Sequence, residues 1–216
     1  MPELSQVAKA LEAAHSRRLV HWDLSPHDVL VEPGGDGHVL LGDFGIAKPE
    51  GRGELHDFVD FAYMSPEEIR EELLVPQSNV YALACILVEC LTGSPPYASE
   101  HRLGVAYAHI LQPPPRLTER RPDLPPAIDG VLATAMAKDP DDRLYSPSEL
   151  VRAAAEALGL GLPGPGGPIG PPGRRLERLS AGSRAGERDA GTREHPRAVA
   201  TVRGLRRLLT GTKRVA

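Results

Sequence analysis

The sequence predicts a mainly helical fold of the α+β kind: a helical bundle around one central apolar helix, carrying a single small β-hairpin. Three observations lead there. Val80 to Leu91 is almost wholly apolar, yet far shorter than a membrane span. Ser-Pro-x-Glu strings at 65–68 and 146–149 place Ser at N-cap, Pro at N1 and Glu at N3 of two helices. Two short β-branched runs, Val29 to Val31 and Val39 to Leu41, flank a Gly- and Asp-containing turn from Pro33 to Gly37, the pattern of a hairpin.

The remaining elements follow from periodicity. Leu4, Val7, Ala8, Leu11 and Ala14 recur at steps of three and four between Pro2 and Ser16, so an amphipathic helix opens the chain. Gly93 stops the central helix and Pro95-Pro96 sharpens the stop. A shorter helix is expected over Leu103 to Leu111, then a proline-rich connection from Pro113 to Pro126. Ile128 to Lys138 is helical again, with Ile128, Val131, Leu132 and Met136 on one side. The last helix runs from the second Ser-Pro-x-Glu string to Gly159.

Beyond that point composition changes. Gly161, Gly164, Gly167, Gly170 and Gly173 fall every third residue among prolines, too few triplets for a triple helix, so 159–173 reads as a linker. Residues 174–216 hold 12 Lys and Arg against 4 Asp and Glu, a net of +8, while the chain as a whole carries −4. An acidic body, 1–158, is thus expected to carry a basic, largely disordered tail. Within the tail, Val199, Val202, Leu205, Leu208 and Leu209, interleaved with Arg203, Arg206 and Arg207, suit a short amphipathic helix over 199–209. Contact of this tail with an anionic membrane or nucleic acid stands against a plain solvated extension.

Some classes are excluded. No apolar window is long enough to span a bilayer, and the N-terminus lacks the basic start and apolar run of a secretory signal. The two cysteines, Cys85 and Cys90, form no CxxC pair and suggest buried residues rather than a disulfide or zinc scaffold. The histidines 15, 27, 38, 56, 101, 109 and 195 show no metal-ligand spacing. A cytoplasmic protein is the expectation.

The chemistry sits on either side of the hairpin, in HWDLSPHDVLV from His21 to Val31 and LGDFGIAK from Leu41 to Lys48. A hairpin that carries Asp23 and Asp43 to neighbouring loop ends pairs a candidate base with a candidate metal ligand. Those strings, with YMSPE at 63–67, NVYALACILVECLTGSPPY at 79–97, VAYAHI at 105–110 and DPDDR at 139–143, resemble the C-terminal lobe of Hanks-type bacterial Ser/Thr protein kinases. The resemblance covers about residues 3 to 158. It implies that Asp23 is the catalytic-loop base, that Asp43 holds Mg2+ on the ATP phosphates, and that Asp28 is the second metal ligand. It further implies that His21 and Phe44 stack beneath the site, that Gly45 completes the DFG motif, that Asn79 stands at the central-helix Asp position, and that Glu67 pairs with Arg143.

The departures from the family pattern are as informative. Where the family has Lys in the catalytic loop this chain has Ser25, which removes a cation from the transferring phosphoryl group. The loop Asn is Asp28, and the Arg before the catalytic Asp is Trp22, expected to fill the lost Arg's space by packing. The substrate-positioning Thr is Asp60. Asn79 keeps an acceptor oxygen but loses the charge that clamps the loop. No Ser or Thr lies between Ile46 and Met64. Nor does Lys9, Lys48, Lys138 or Lys213 sit in a VAIK-like strand. The Gly159, Gly161, Gly164 string lies in the proline-rich linker and fails the context test for phosphate binding. The expectation is a truncated, degenerate Ser/Thr kinase lobe, without its N-terminal lobe and inactive by itself, using ATP and Mg2+ if active. The alternative is a pseudokinase-type binding module whose exposed lobe face takes a protein partner.

Overall fold

The computed structural model describes residues 1–31, 38–44 and 61–160. Seven α-helices and a two-stranded sheet make up these residues: α1 (Pro2–His15), β1 (Val29–Val31), β2 (Val39–Leu41), α2 (Pro66–Ile69), α3 (Pro76–Thr92), α4 (Arg102–Leu111), α5 (Leu117–Arg120), α6 (Ala127–Ala135) and α7 (Pro147–Ala157). Short 3-10 turns at Pro26–Asp28, Phe61–Tyr63 and Pro140–Asp142 join them. The hairpin turn, the 159–173 linker beyond Leu160, and the basic tail with its 199–209 segment lie outside the described residues.

The core forms around α3. Every residue from Ser78 to Val88 is buried, as are Cys90 and Leu91, because no turn of this helix offers a polar face. It begins one turn earlier than the apolar run, at Pro76, where Ser78 Oγ accepts the Val75 N–H at 3.1 Å. It ends at Gly93, whose φ of 88° is a conformation that glycine takes without steric cost. Burial removes the two thiols from chemistry. It pushes Cys90 up to about 12 and Cys85 higher still, so neither forms a thiolate near neutral pH.

The other helices lay their apolar stripes on this axis. Leu4, Val7, Ala8, Leu11 and Ala14 form the buried face of α1, against α7 and the hairpin. Glu12 fastens α7 by accepting the Ser148 N–H at 3.0 Å, and Gln6 fastens β2 by accepting the Val39 N–H at 3.1 Å. Ile128, Leu132 and Met136 are fully buried from α6, while Val131 is only half-buried at its edge. The proline-rich connection is not featureless: it contains α5, held by the Thr118 hydroxyl on Asp129 at 2.5 Å. Antiparallel pairing of Val29 with Leu41 and Val31 with Val39 sets the hairpin register, and therefore which loop ends meet.

A polar knot lies beside α3. The buried His109 ring pairs through Nδ1 with the Tyr81 hydroxyl at 2.9 Å and meets the Tyr97 ring edge-on at 4.8 Å. The Lys138 amine donates to the His109 carbonyl at 2.7 Å and to the Tyr97 hydroxyl at 3.2 Å. Burial first, and the Lys138 charge second, lower the His109 pKa to about 4. A base whose pKa is depressed in the folded state opposes folding when protonated. Its contribution is complete above the unfolded value near 6.5 and is lost as pH falls toward 4. The expected loss is about 3 kcal/mol across that window. Thermal midpoints measured from pH 7 to pH 4 should therefore fall steeply, and His109→Phe should flatten the slope between 6.5 and 4; parallel slopes would contradict the assignment.

Candidate active site

The site is built from three segments pinned to the helical core. The first is the catalytic-loop string after α1. Asn79 of α3 clamps the backbone of His21 from both sides, accepting its N–H at 2.9 Å and donating Nδ2 to its carbonyl at 2.7 Å. His15, at the end of α1, meets the same Asn79 Oδ1 through Nε2 at 2.9 Å. Burial lowers the His15 pKa, against the opposing pull of that contact. The sequence pointed to a weakened clamp at position 79, because an amide lacks a carboxylate's charge. The structure restores it differently: an amide both donates and accepts, so a single side chain satisfies a whole buried backbone pair.

The second segment enters at Gly42. Its N–H donates to the Asp28 carbonyl at 2.8 Å, and its own carbonyl meets His21 Nε2 at 2.8 Å. Because Val29 pairs with Leu41, these contacts extend the hairpin ladder by one step and bring Asp28 and Asp43 to the same end. Phe44 follows, its ring tilted at 51° and 4.6 Å from His21. Asp23 and Asp43 both hold positive φ, 58° and 47°. Such conformations cost about 1–3 kcal/mol and persist where the surroundings over-determine them, as happens at functional sites. Both side chains are exposed, whereas Asp28 is half-buried.

Ser25 and Asp28 form a closed local unit. The Ser25 N–H and hydroxyl both donate to Asp28 Oδ2, at 2.8 and 3.1 Å, and Ser25 Oγ accepts the His27 N–H at 3.3 Å. Sequence reasoning treated position 25 as a lost cation and missed this cap. The clue was present: Ser25-Pro26-His27-Asp28 repeats the Ser-Pro-x-acid string that opens α2 and α7. Burial raises the Asp28 pKa, helped by the negative charge of Asp43 and opposed by the Ser25 hydrogen bonds and His21.

The third segment is α2. Glu67 and Arg143 form a bidentate pair at 2.7 and 2.8 Å, both side chains being buried. Burial opposes ionisation of Glu67, but the Arg143 hydrogen bonds and charge, with Ser78 Oγ at 2.6 Å, hold its carboxyl below the usual range. Next in sequence, Glu68 reaches out of α2 to accept the Asp23 N–H through Oε1 at 2.8 Å. Nothing in the motif reading pointed to Glu68. Trp22 departs from expectation: it is 46% exposed and does not fill an interior space. Gly45, Lys48 and Asp60 lie outside the described residues.

Among the described residues no cluster of three or more His, Cys, Asp or Glu is gathered for a metal, and no helix is long and apolar enough to cross a membrane. Two carboxylates, Asp28 and Asp43, share one loop end. That donor set suits Mg2+, which is commonly held by one or two carboxylates together with phosphate oxygens and water. Burial is the main reason the Asp28 pKa is raised, with the Asp43 charge a smaller contribution, and a divalent cation would offset both.

Comparison with known proteins agrees with this geometry. Residues 3–154 match the protein kinase domain family, and the chain belongs to that family. It is 39% identical over 159 residues to the Ser/Thr protein kinase PknH of Mycobacterium bovis, covering 72% of this chain and 26% of that protein. Similarity to PknE of Mycobacterium tuberculosis reaches 41% over 157 residues, 71% of this chain and 27% of the relative. The crystal structure of the Mycobacterium tuberculosis PknI kinase domain superposes with a TM-score of 0.56 at 34% identity, covering 72% of this chain and 54% of that one. The chain thus spans about a quarter of the length of the curated relatives it matches, and about half of a solved kinase domain. Its described residues form a helical lobe of the Hanks-type protein kinase fold.

Removing one partner of the buried pair strands a charge, at a cost of about 3–5 kcal/mol. Glu67→Ala should lower the thermal midpoint by roughly 10 °C or more, and a midpoint within 2–3 °C of the parent would refute that weight.

Proposed function

We propose that this lobe is the base- and metal-bearing half of a site for ATP-dependent phosphoryl transfer to protein Ser or Thr. The observation that supports the reading best is the Gly42 peptide, which ties the Asp28 carbonyl to the His21 ring and so sets the Asp23 loop and the Asp28–Asp43 pair beside one another. Asp23, with its backbone pinned and its carboxylate exposed, orients the substrate hydroxyl and takes its proton. Asp43 and Asp28 would hold Mg2+; when bound, that ion neutralises charge on the ATP phosphates. Ser25 keeps Asp28 aimed but supplies no cation, so phosphate charge at that point is left to the metal. The Gly-rich loop and strand Lys that cover ATP are supplied from outside these 216 residues, and the chain by itself does not turn over. A cytoplasmic setting, where ATP is available, goes with this reading.

A second reading, a protein-binding module, draws support from the exposed Trp22 and Leu40, at 46% and 52%, on the loop and hairpin of the same lobe. The two readings separate in one experiment. The full chain is combined with the purified ATP-binding lobe of a mycobacterial relative, a Ser/Thr protein substrate, Mg2+ and labelled ATP. Labelling is expected with the parent chain and should vanish with Asp43→Ala. Equal labelling by the variant would remove Asp43 from the chemistry. Failure to label, with the two lobes still associating, would favour the binding module.

A further inference from the structure

We infer that Glu68 is a positioning residue for the catalytic base, coupling the helix after the activation segment to the catalytic loop through the Asp23 backbone. The inference rests on the reading of Asp23 as that base.

Glu68 stands at the third position after the Ser65 cap, where a glutamate ordinarily turns back to the cap's own backbone. Glu149, at the same place in α7, does turn back locally, accepting the Tyr145 N–H at 2.8 Å. Glu68 instead spends Oε1 on the Asp23 N–H, forty-five residues earlier in the chain. Its side chain is buried, so the bond runs from a backbone donor to a carboxylate in a medium where such bonds are strong.

The residue it holds is one that needs holding. Asp23 has a φ of 58°, a left-handed backbone that a non-glycine residue leaves unless fixed. Asn79 fixes the backbone at His21, two residues earlier, and Glu68 fixes the Asp23 amide itself. The carboxylate then projects from a backbone held at two points, at His21 and at its own amide. Glu68 is itself fixed by its neighbour, since Glu67 is locked to Arg143 and Ser78. A continuous path therefore runs from the buried ion pair through α2 to the base. The family's substrate-positioning Thr and catalytic-loop Lys are Asp60 and Ser25 here, and the Glu68 bond to the Asp23 amide needs neither.

Amide hydrogen exchange and side-chain couplings in the full 216-residue chain test this. Glu68→Ala should speed exchange at the Asp23 amide about tenfold or more, leave Leu83 to Leu87 of α3 within threefold, and average the Asp23 Hα–Hβ couplings from one rotamer to several. Glu68→Gln, which keeps an acceptor oxygen, should restore protection and the single rotamer. Unchanged Asp23 exchange in Glu68→Ala, or acceleration spread equally over α2 and α3, would overturn the inference. Should Glu68→Ala fail to fold, Glu68→Gln decides alone: the Asp23 amide proton should move upfield because a neutral oxygen accepts more weakly, and an unmoved proton is the refuting result. Broadening of Asp28 and Asp43 signals by Mn2+ reports separately on the metal site, so loss of that reading and loss of the Glu68 link give different spectra.

Discussion

A single guanidinium, that of Arg143, organises the part of this lobe that matters for chemistry. It spends all five of its N–H donors: two on Glu67, and one each on the carbonyls of Ala137, Gln77 and Lys138. Its planar face lies 4.9 Å from the Tyr81 ring centroid. The fork thereby joins α2, the start of α3 and the loop after α6 at one buried point. A charge so deep is tolerated only because each donor and both Glu67 oxygens are satisfied. Remove that closure and α2 has only four residues of its own with which to stay in place.

Everything nearer the site hangs on elements so anchored. Asp23 sits on a loop held by an amide from α3 and a carboxylate from α2, neither of which belongs to the loop. Asp28 and Asp43 come to one end of the hairpin because a three-residue ladder has one register and because Gly42 extends it. Strain at Asp23 and Asp43 is therefore local, while the contacts that sustain it are distributed over the core. That distribution suits a lobe whose Asp23 and Asp43 side chains are exposed.

The family substitutions gain a consistent physical sense in this setting. Positions where the family carries charge, the loop Lys and the central-helix Asp, here carry Ser25 and Asn79. Both replacements do backbone work: Ser25 caps the turn and aims Asp28, and Asn79 pairs with both backbone polar groups of His21. The chain has kept the shape of the loop by hydrogen bonding while giving up electrostatic assistance.

Most of the architecture was legible in the sequence, because helix periodicity, Ser-Pro caps and Gly93 act within a few residues of one another. The central helix announced itself by having no polar side, and the hairpin by its β-branched runs. The Glu67–Arg143 pair was legible through motif strings, and the same strings marked Asp23 and Asp43 as candidates. What the sequence left undecided were contacts between residues distant in the chain: the two-way reach of Asn79, the exposure of Trp22, and the turn of Glu68 away from its own helix toward Asp23. A capping-box pattern states that a glutamate will seek a backbone N–H; it does not state which one. That choice falls to the tertiary structure, because only when α2 is seated by its ion pair does the Asp23 amide, on a left-handed backbone, come within 2.8 Å of the carboxylate.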